Sequence, residues 1–250
     1  IIIDQSRADI TNPADFLALT PTLRKLYAAS ADANALGLGE KTLNRTCTEC
    51  HGRGVLHIDM GFLPAIHTPC DACQGTGYPP EAWSVRLHDL ALPQIFGLTI
   101  DELLAEFHAE AALVRPLQMA QTVGLGYLVL RQPGYALSGG EAQRVKLSTE
   151  LGKKDTGKTF YILDEPTTGL HFQDIQHLLD VLNKLVDRGN TVLIIEHNMD
   201  VIKMADHIID IGPEGGDGGG KLLYEGTPEG LLKVKESHTG KFLAHELRGS

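Results

Sequence analysis

Two short apolar runs, Phe160–Leu163 and Thr191–Ile195, constrain the fold more than any other feature of the chain. Both are rich in branched or aromatic residues and read as buried strands. Between them Ile175, Leu178, Leu179, Leu182, Leu185 and Val186 recur at helical spacing over Phe172–Asp187. A strand, a helix and a strand of this length make a parallel crossover, right-handed by the usual rule. The expected class is therefore α/β. Asp164 and Glu165 end the first strand, Pro166 stops it, and Gly169 permits a turn. His197 ends the second strand. Open parallel sheets bind ligands at this edge, which makes Asp164, Glu165 and His197 candidates for one site. Asp164 suits Mg²⁺, an ion that combines carboxylates with phosphate oxygens. Glu165 is placed to orient and polarise an attacking water.

Upstream lies Leu137-Ser138-Gly139-Gly140-Glu141, followed by Gln143-Arg144 and a helical pattern. Two glycines at a helix start leave backbone N–H groups open, and Ser138 adds a hydroxyl. Such a turn receives phosphate oxygens. An Asp-Glu pair alone ends many strands and caps the next helix. Its conjunction with Leu137–Glu141 and His197 favours nucleotide chemistry.

The four cysteines form two Cys-x2-Cys pairs, Cys47/Cys50 and Cys70/Cys73, with 19 residues between the pairs. Paired turns of this kind aim four thiolates at one tetrahedral cation. Glycines at 52, 54, 75 and 77 permit the tight knuckles. Val55–Met60 and Ala65–Thr68 then read as a hairpin with residues 61–64 at its tip. Two disulfides are the competing reading. Without a secretory leader, zinc is expected. A complete shell of four thiolates leaves no position for a water, so the ion would be structural. His51 and His67 read as bystanders.

Ile1–Ile3 reads as another strand, with Gln5 just past its end. Pro13–Ala29 is helix-prone, with an interruption expected at Thr20-Pro21. Leu98–Val114 reads as one helix with a capping box from Thr99 to Glu102. Ile208–Ile211 and Lys221–Glu225 read as strands around a glycine-dense turn, 212–220. Short helices follow from Thr227-Pro228 and over Thr239–Leu247. The chain is 42% hydrophobic, enough for a real core, and its formal net charge is −10. That charge is a poor match for a polyanion over the whole surface, so any nucleic-acid contact must be local. Arg45, Arg53, His57, His67 and Lys41 around the cysteines are the candidates, against a plain reading as solvated surface residues. No apolar run approaches the roughly 20 residues that span a bilayer.

Leu137–Glu141 resembles the signature of the ABC ATPases. Ile162–Glu165 resembles their Walker B strand, Pro166–His171 their D-loop and His197 their switch histidine. With the four-cysteine module, the whole chain resembles the C-terminal ATP-binding half of the UvrA family, the A subunits of the ABC excinuclease. Asp4-Gln5-Ser6, Asn12-Pro13, Val123–Tyr127, Gln143–Leu147, Glu196-His197-Asn198, Gly212–Gly216 and Thr239–Leu243 carry the likeness further.

The resemblance implies an ABC-type P-loop sheet with helices, plus a mostly helical signature subdomain bearing the zinc module. Residues 1–12 would start the ATP-binding core. Residues 13–136 would be the signature insertion, with zinc module 47–77, and 137–250 would complete the core. Glu165 and His197 would be catalytic, and Gln5 and Asp164 would serve the same ATP and Mg²⁺. Ser138, Gly139, Gly140 and Glu141 would close on ATP held by a second module. Neither Gly152-Lys153-Lys154 nor Gly157-Lys158-Thr159 supplies a Walker A loop, because the latter runs straight into a strand. The isolated segment is therefore expected to be inactive, as a piece of a larger cytoplasmic ATPase. That family acts as a homodimer on damaged double-stranded DNA and hands it to a UvrB-type partner, with no membrane involved. One departure stands out. Arg7–Pro13 holds one Arg and an added Asp9, where the family is typically rich in Arg and Pro. This fits an alternative, a divergent UvrA-like paralogue linked to drug tolerance. A co-chaperone zinc knuckle and a transporter ATPase fit the motifs less well.

Overall fold

A computed structural model describes residues 1–7, 10–61, 63–153, 157–214 and 219–247, without the side chains at 59, 60, 63–65 and 173. Asp9 in the thinned basic stretch, Phe62 at the hairpin tip, Lys154 and the middle of the glycine-dense turn, 215–218, lie outside the described residues. The chain forms two compact units, one of residues 1–4 and 155–250, the other of residues 5–154. The sequence-based boundaries at 12/13 and 136/137 differ from this division, which groups both Gln5 and the signature turn with the helical body.

Strand β1 (Ile2–Ile3) belongs to the first unit. The second unit begins with α1 (Pro13–Phe16), α2 (Leu19–Ala28), α3 (Ala31–Leu36) and α4 (Glu40–Leu43). The break between α1 and α2 falls at Leu17-Ala18, where Ala18 takes φ +55°, and not at Thr20-Pro21. Pro21 sits in the first turn of α2, where its missing N–H costs nothing. Then come the hairpin β2 (Val55–Met60) and β3 (Leu63–Pro69), the short pair β4 (Arg86–Leu87) and β5 (Leu90–Ala91), and α5 (Leu92–Ile95). The Tyr27 hydroxyl on α2 donates to the Leu90 carbonyl at 2.6 Å, which ties α2 to that short pair. Burial pushes the Tyr27 phenol well above its ordinary range.

The predicted helix Leu98–Val114 is two helices, α6 (Ile100–Glu106) and α7 (Ala111–Thr122). The chain leaves helical geometry at Phe107, whose fully buried ring stacks on His88 at 4.8 Å. Helix α7 continues through Pro116 because Leu113, Leu117 and Ala120 are all buried on one face. Packing of that face outweighs the lost backbone bond. Helix α8 (Gly139–Gly152) packs against α7. The core of this unit is built from Leu19, Leu23, Tyr27, Leu103, Leu113 and Leu117, all fully buried.

In the first unit, β6 (Phe160–Asp164), α9 (Phe172–Asp187) and β7 (Thr191–Ile195) fall where the apolar pattern places them. The sheet order is β1-β6-β7, all parallel. One face buries Tyr161 and Leu163. The opposite face is open: Ile2, Phe160, Leu193 and Ile195 are 72%, 48%, 40% and 55% exposed. Helix α10 (Met199–Ile202) follows, then an antiparallel hairpin of β8 (Ile208–Gly212) and β9 (Lys221–Gly226), and then α11 (Pro228–Leu231) and α12 (His238–Glu246). Ile175 and Leu179 of α9 pack on Val201, while Ile202, Leu231 and Leu243 form a second cluster.

Candidate functional site

The edge of β6 and β7 brings three of the expected residues together. Asp164 is the last residue of β6 and is exposed. Glu165 follows with φ +45°, a left-handed conformation that costs a non-glycine residue about 1 to 2 kcal/mol. Its N–H still donates to the Ile195 carbonyl at 2.8 Å, so the strand ladder holds the turn in place. One Glu165 carboxylate oxygen lies 3.6 Å from Nδ1 of His197. Strain of this kind, at the end of a strand beside a titratable pair, is characteristic of functional sites.

Glu196 is a member of this edge that the sequence reading did not single out. One of its oxygens accepts from both the N–H and the hydroxyl of Thr167, at 3.0 and 2.5 Å. The other accepts from the N–H groups of His197 and Asn198, at 2.9 and 3.1 Å. Burial alone would raise this carboxyl. The donors of Thr167, Asn198 and His197 outweigh it and hold Glu196 below the usual carboxylate range. Glu196 thus fastens the segment after Pro166 to the backbone that carries His197. The signal available was its place between the apolar strand and His197.

The signature turn lies in the other unit. Ser138 is the N-cap of α8, and its Oγ accepts from the Glu141 N–H at 3.2 Å. Glu141 reaches back to the Ser138 N–H at 2.6 Å, and its second oxygen accepts from the Tyr127 hydroxyl at 2.8 Å. One Glu141 oxygen therefore closes the capping box and the other is bound to Tyr127. Burial opposes its ionisation, but the Ser138 N–H and Tyr127 hydroxyl win and lower its pKa. Gln5 lies against Gly139: a Cβ there would meet the Gln5 amide oxygen at 2.6 Å. Gly140 is buried. Tyr127 was also missed as a partner.

The four cysteines converge as the spacing predicts. Their sulfurs all lie within 4.8 Å of one another and are buried. Cys47–Cys70 and Cys50–Cys73 sulfurs are 3.9 and 3.7 Å apart. Tetrahedral zinc with bonds of about 2.3 Å requires sulfurs about 3.8 Å apart, so the set fits that ion. The N–H groups of Gly54 and Gly77 donate to the Cys50 and Cys73 sulfurs, each at 3.2 Å. The knuckles also clasp each other, Cys47 N–H to Gly77 O at 2.8 Å and Cys70 N–H to Gly54 O at 2.9 Å. His57 and His67 lie outside the sulfur cluster, their rings 5.0 Å apart across the hairpin. Among the described residues, no helix is long and apolar enough to cross a membrane.

No protein-family model matches the chain. It is 49% identical over 249 residues to UvrABC system protein A of Pseudomonas aeruginosa, covering 96% of this chain and 26% of that protein. The protein of the same name from Haemophilus influenzae is 49% identical over 251 residues, covering 97% and 27%. The crystal structure of UvrA2 from Deinococcus radiodurans superimposes with a TM-score of 0.87 at 40% identity, over 99% of this chain and 31% of that one. The chain thus spans about a quarter of the length of the curated relatives it matches. Identity of 49% over nearly the whole of this chain, with a 40% identical structure superimposing on 99% of it, means that the chain belongs to the UvrA family.

Proposed function

We propose that this chain is part of the ATP-hydrolysing module of a UvrA-type DNA damage recognition protein in nucleotide excision repair. The observation that carries the reading is the meeting of Glu165 and His197, 3.6 Å apart, beside Asp164 at one sheet edge. Glu165 aligns a water against the γ-phosphate, and His197 donates to that phosphate. Asp164 would hold Mg²⁺, which would supply positive charge against the phosphates. Catalysis in such a site is positioning plus electrostatics. Ser138, Gly139 and Gly140 present the start of α8 to the phosphates of a second module. Gln5, lodged against Gly139, senses the nucleotide and passes its state to the signature turn. The four cysteines would hold zinc in a structural role.

The open face of β1, β6 and β7, with Ile2, Phe160, Leu193 and Ile195, suits a unit that the rest of a longer polypeptide covers. Two such polypeptides act as a dimer in the cytoplasm, bind damaged duplex and pass it to a UvrB-type subunit. The curated relatives are named as components of the UvrABC system, which favours repair over the drug-tolerance paralogue. Binding of the full-length protein to lesion-bearing and intact duplexes across a salt series tests the proposal. Tighter binding to the lesion at every salt supports it, and equal binding removes the repair role while leaving the ATPase reading intact.

A further inference from the structure

A cleft of about 520 Å³ runs between the cysteine knuckles and the helices α1 and α2, within the size range of small-ligand sites. Three arginines line it, Arg24, Arg53 and Arg131. In a chain of net charge −10, three guanidinium groups on one cleft need an explanation. None of them has an ion pair with a carboxylate among the described residues. The one acid in the lining, Asp15, is already engaged: its two oxygens accept from Asn12 Nδ2 at 2.7 Å and the Thr20 hydroxyl at 2.5 Å.

Two of the arginines, Arg24 and Arg53, are also held in place. Arg24 sits 5.5 Å from the centre of the Tyr78 ring, with a terminal nitrogen 3.5 Å from the Tyr78 hydroxyl. Its Nε is fully enclosed and has no hydrogen-bond partner among the described residues, and a buried donor without an acceptor is costly. Nε of Arg53 donates to the Cys50 carbonyl at 3.2 Å, which fixes the plane of its fork and leaves its terminal nitrogens for a ligand. The knuckle amides of Gly54 and Gly77 are committed to cysteine sulfurs, so recognition here falls to side chains. Planar forks match phosphate oxygens two at a time.

We propose that the cleft lined by Arg24, Arg53 and Arg131 binds a phosphate group. The cleft is built entirely from residues of the unit 5–154 and does not depend on the ATPase reading.

The test is titration of inorganic phosphate into the zinc-loaded chain, by calorimetry and by fluorescence of its single tryptophan, Trp83. Trp83 lines a neighbouring hollow with Gln74 and Tyr78, both of which also face the arginine cleft. The expected result is saturable binding that weakens about tenfold or more in Arg53→Gln and in Arg131→Gln. Arg115→Gln, on the exposed side of α7, should bind as the parent does. Arg53 and Arg131 are exposed, so these variants retain the fold even if Arg24→Gln does not. A short oligothymidylate is then added as competitor. Displacement of phosphate identifies a nucleic-acid backbone as the source of the group, and no displacement identifies a free phosphate compound. Absence of saturable binding, or binding indifferent to both variants, overturns the proposal.

Discussion

Gly54→Ala is the most informative single change in the four-cysteine module, and it bears directly on the proposed zinc. Gly54 takes φ +69°, and a Cβ there would lie 2.3 Å from the Gly75 carbonyl oxygen. The left-handed conformation costs alanine about 1 to 2 kcal/mol. Relief of the clash must part the two knuckles. That puts the Cys70 N–H to Gly54 O bond and the Gly54 N–H to Cys50 sulfur bond at risk, at about 1 kcal/mol each. The sum is about 3 to 4 kcal/mol. Because zinc binding and folding of such a module are linked, that sum appears as a loss of roughly two to three decades in zinc affinity. Gly61→Ala is the matched control. Gly61 has φ +68°, but a methyl group there would meet nothing within 4 Å, so only the conformational cost of about 1 to 2 kcal/mol remains. Competition with a chromogenic chelator reads both affinities. Equal losses in the two variants would refute the claim that close approach of the knuckles, and not backbone strain, sets the cost.

Two further outcomes follow from the geometry. Glu196→Gln turns an acceptor of four donors into a group with its own N–H₂, and should destabilise the chain by about 1 to 3 kcal/mol in denaturant unfolding at neutral pH. The Glu196 carboxyl is held below its ordinary range, so its contribution is present above the unfolded carboxylate value and fades as pH falls through the lower folded value. The parent and the variant should therefore converge in acid; a gap that persists there would contradict the assignment. If neither Gly152-Lys153-Lys154 nor Gly157-Lys158-Thr159 serves as a Walker A loop, as the sequence leads one to expect, the isolated chain should bind ATP only weakly in a nucleotide titration, and micromolar affinity would contradict that expectation.

The elements legible in the sequence are those fixed by local pattern. Helix α9 and strands β6 and β7 follow from apolar spacing, and the cysteine cluster follows from paired knuckles. The fully buried Phe107 shows why the predicted helix at 98–114 failed: its stacking partner, His88, lies on a distant turn, and helical periodicity carries no trace of that contact. Pro116 lies inside α7, and the burial of Leu113 and Leu117 keeps the helix intact around it. At the site, Asp164, Glu165 and His197 were legible because strand ends place them at one edge. Glu196 was not, because its role depends on Thr167, which approaches only after the turn beyond Pro166. Glu141 also has a local role that the Ser-x-x-Glu spacing encodes, the cap on Ser138, while its bond from Tyr127 depends on a residue that the spacing does not reach.

The proposed function rests on the carboxylate at the end of β6 positioning the water that attacks ATP. Single-turnover ATP hydrolysis by the full-length protein carrying Glu165→Gln, with nucleotide binding followed in parallel, tests that role without an intervening step. Hydrolysis should fall by about a hundredfold or more while ATP affinity stays within a fewfold of the parent. Unchanged turnover in that variant would contradict the role given to Glu165.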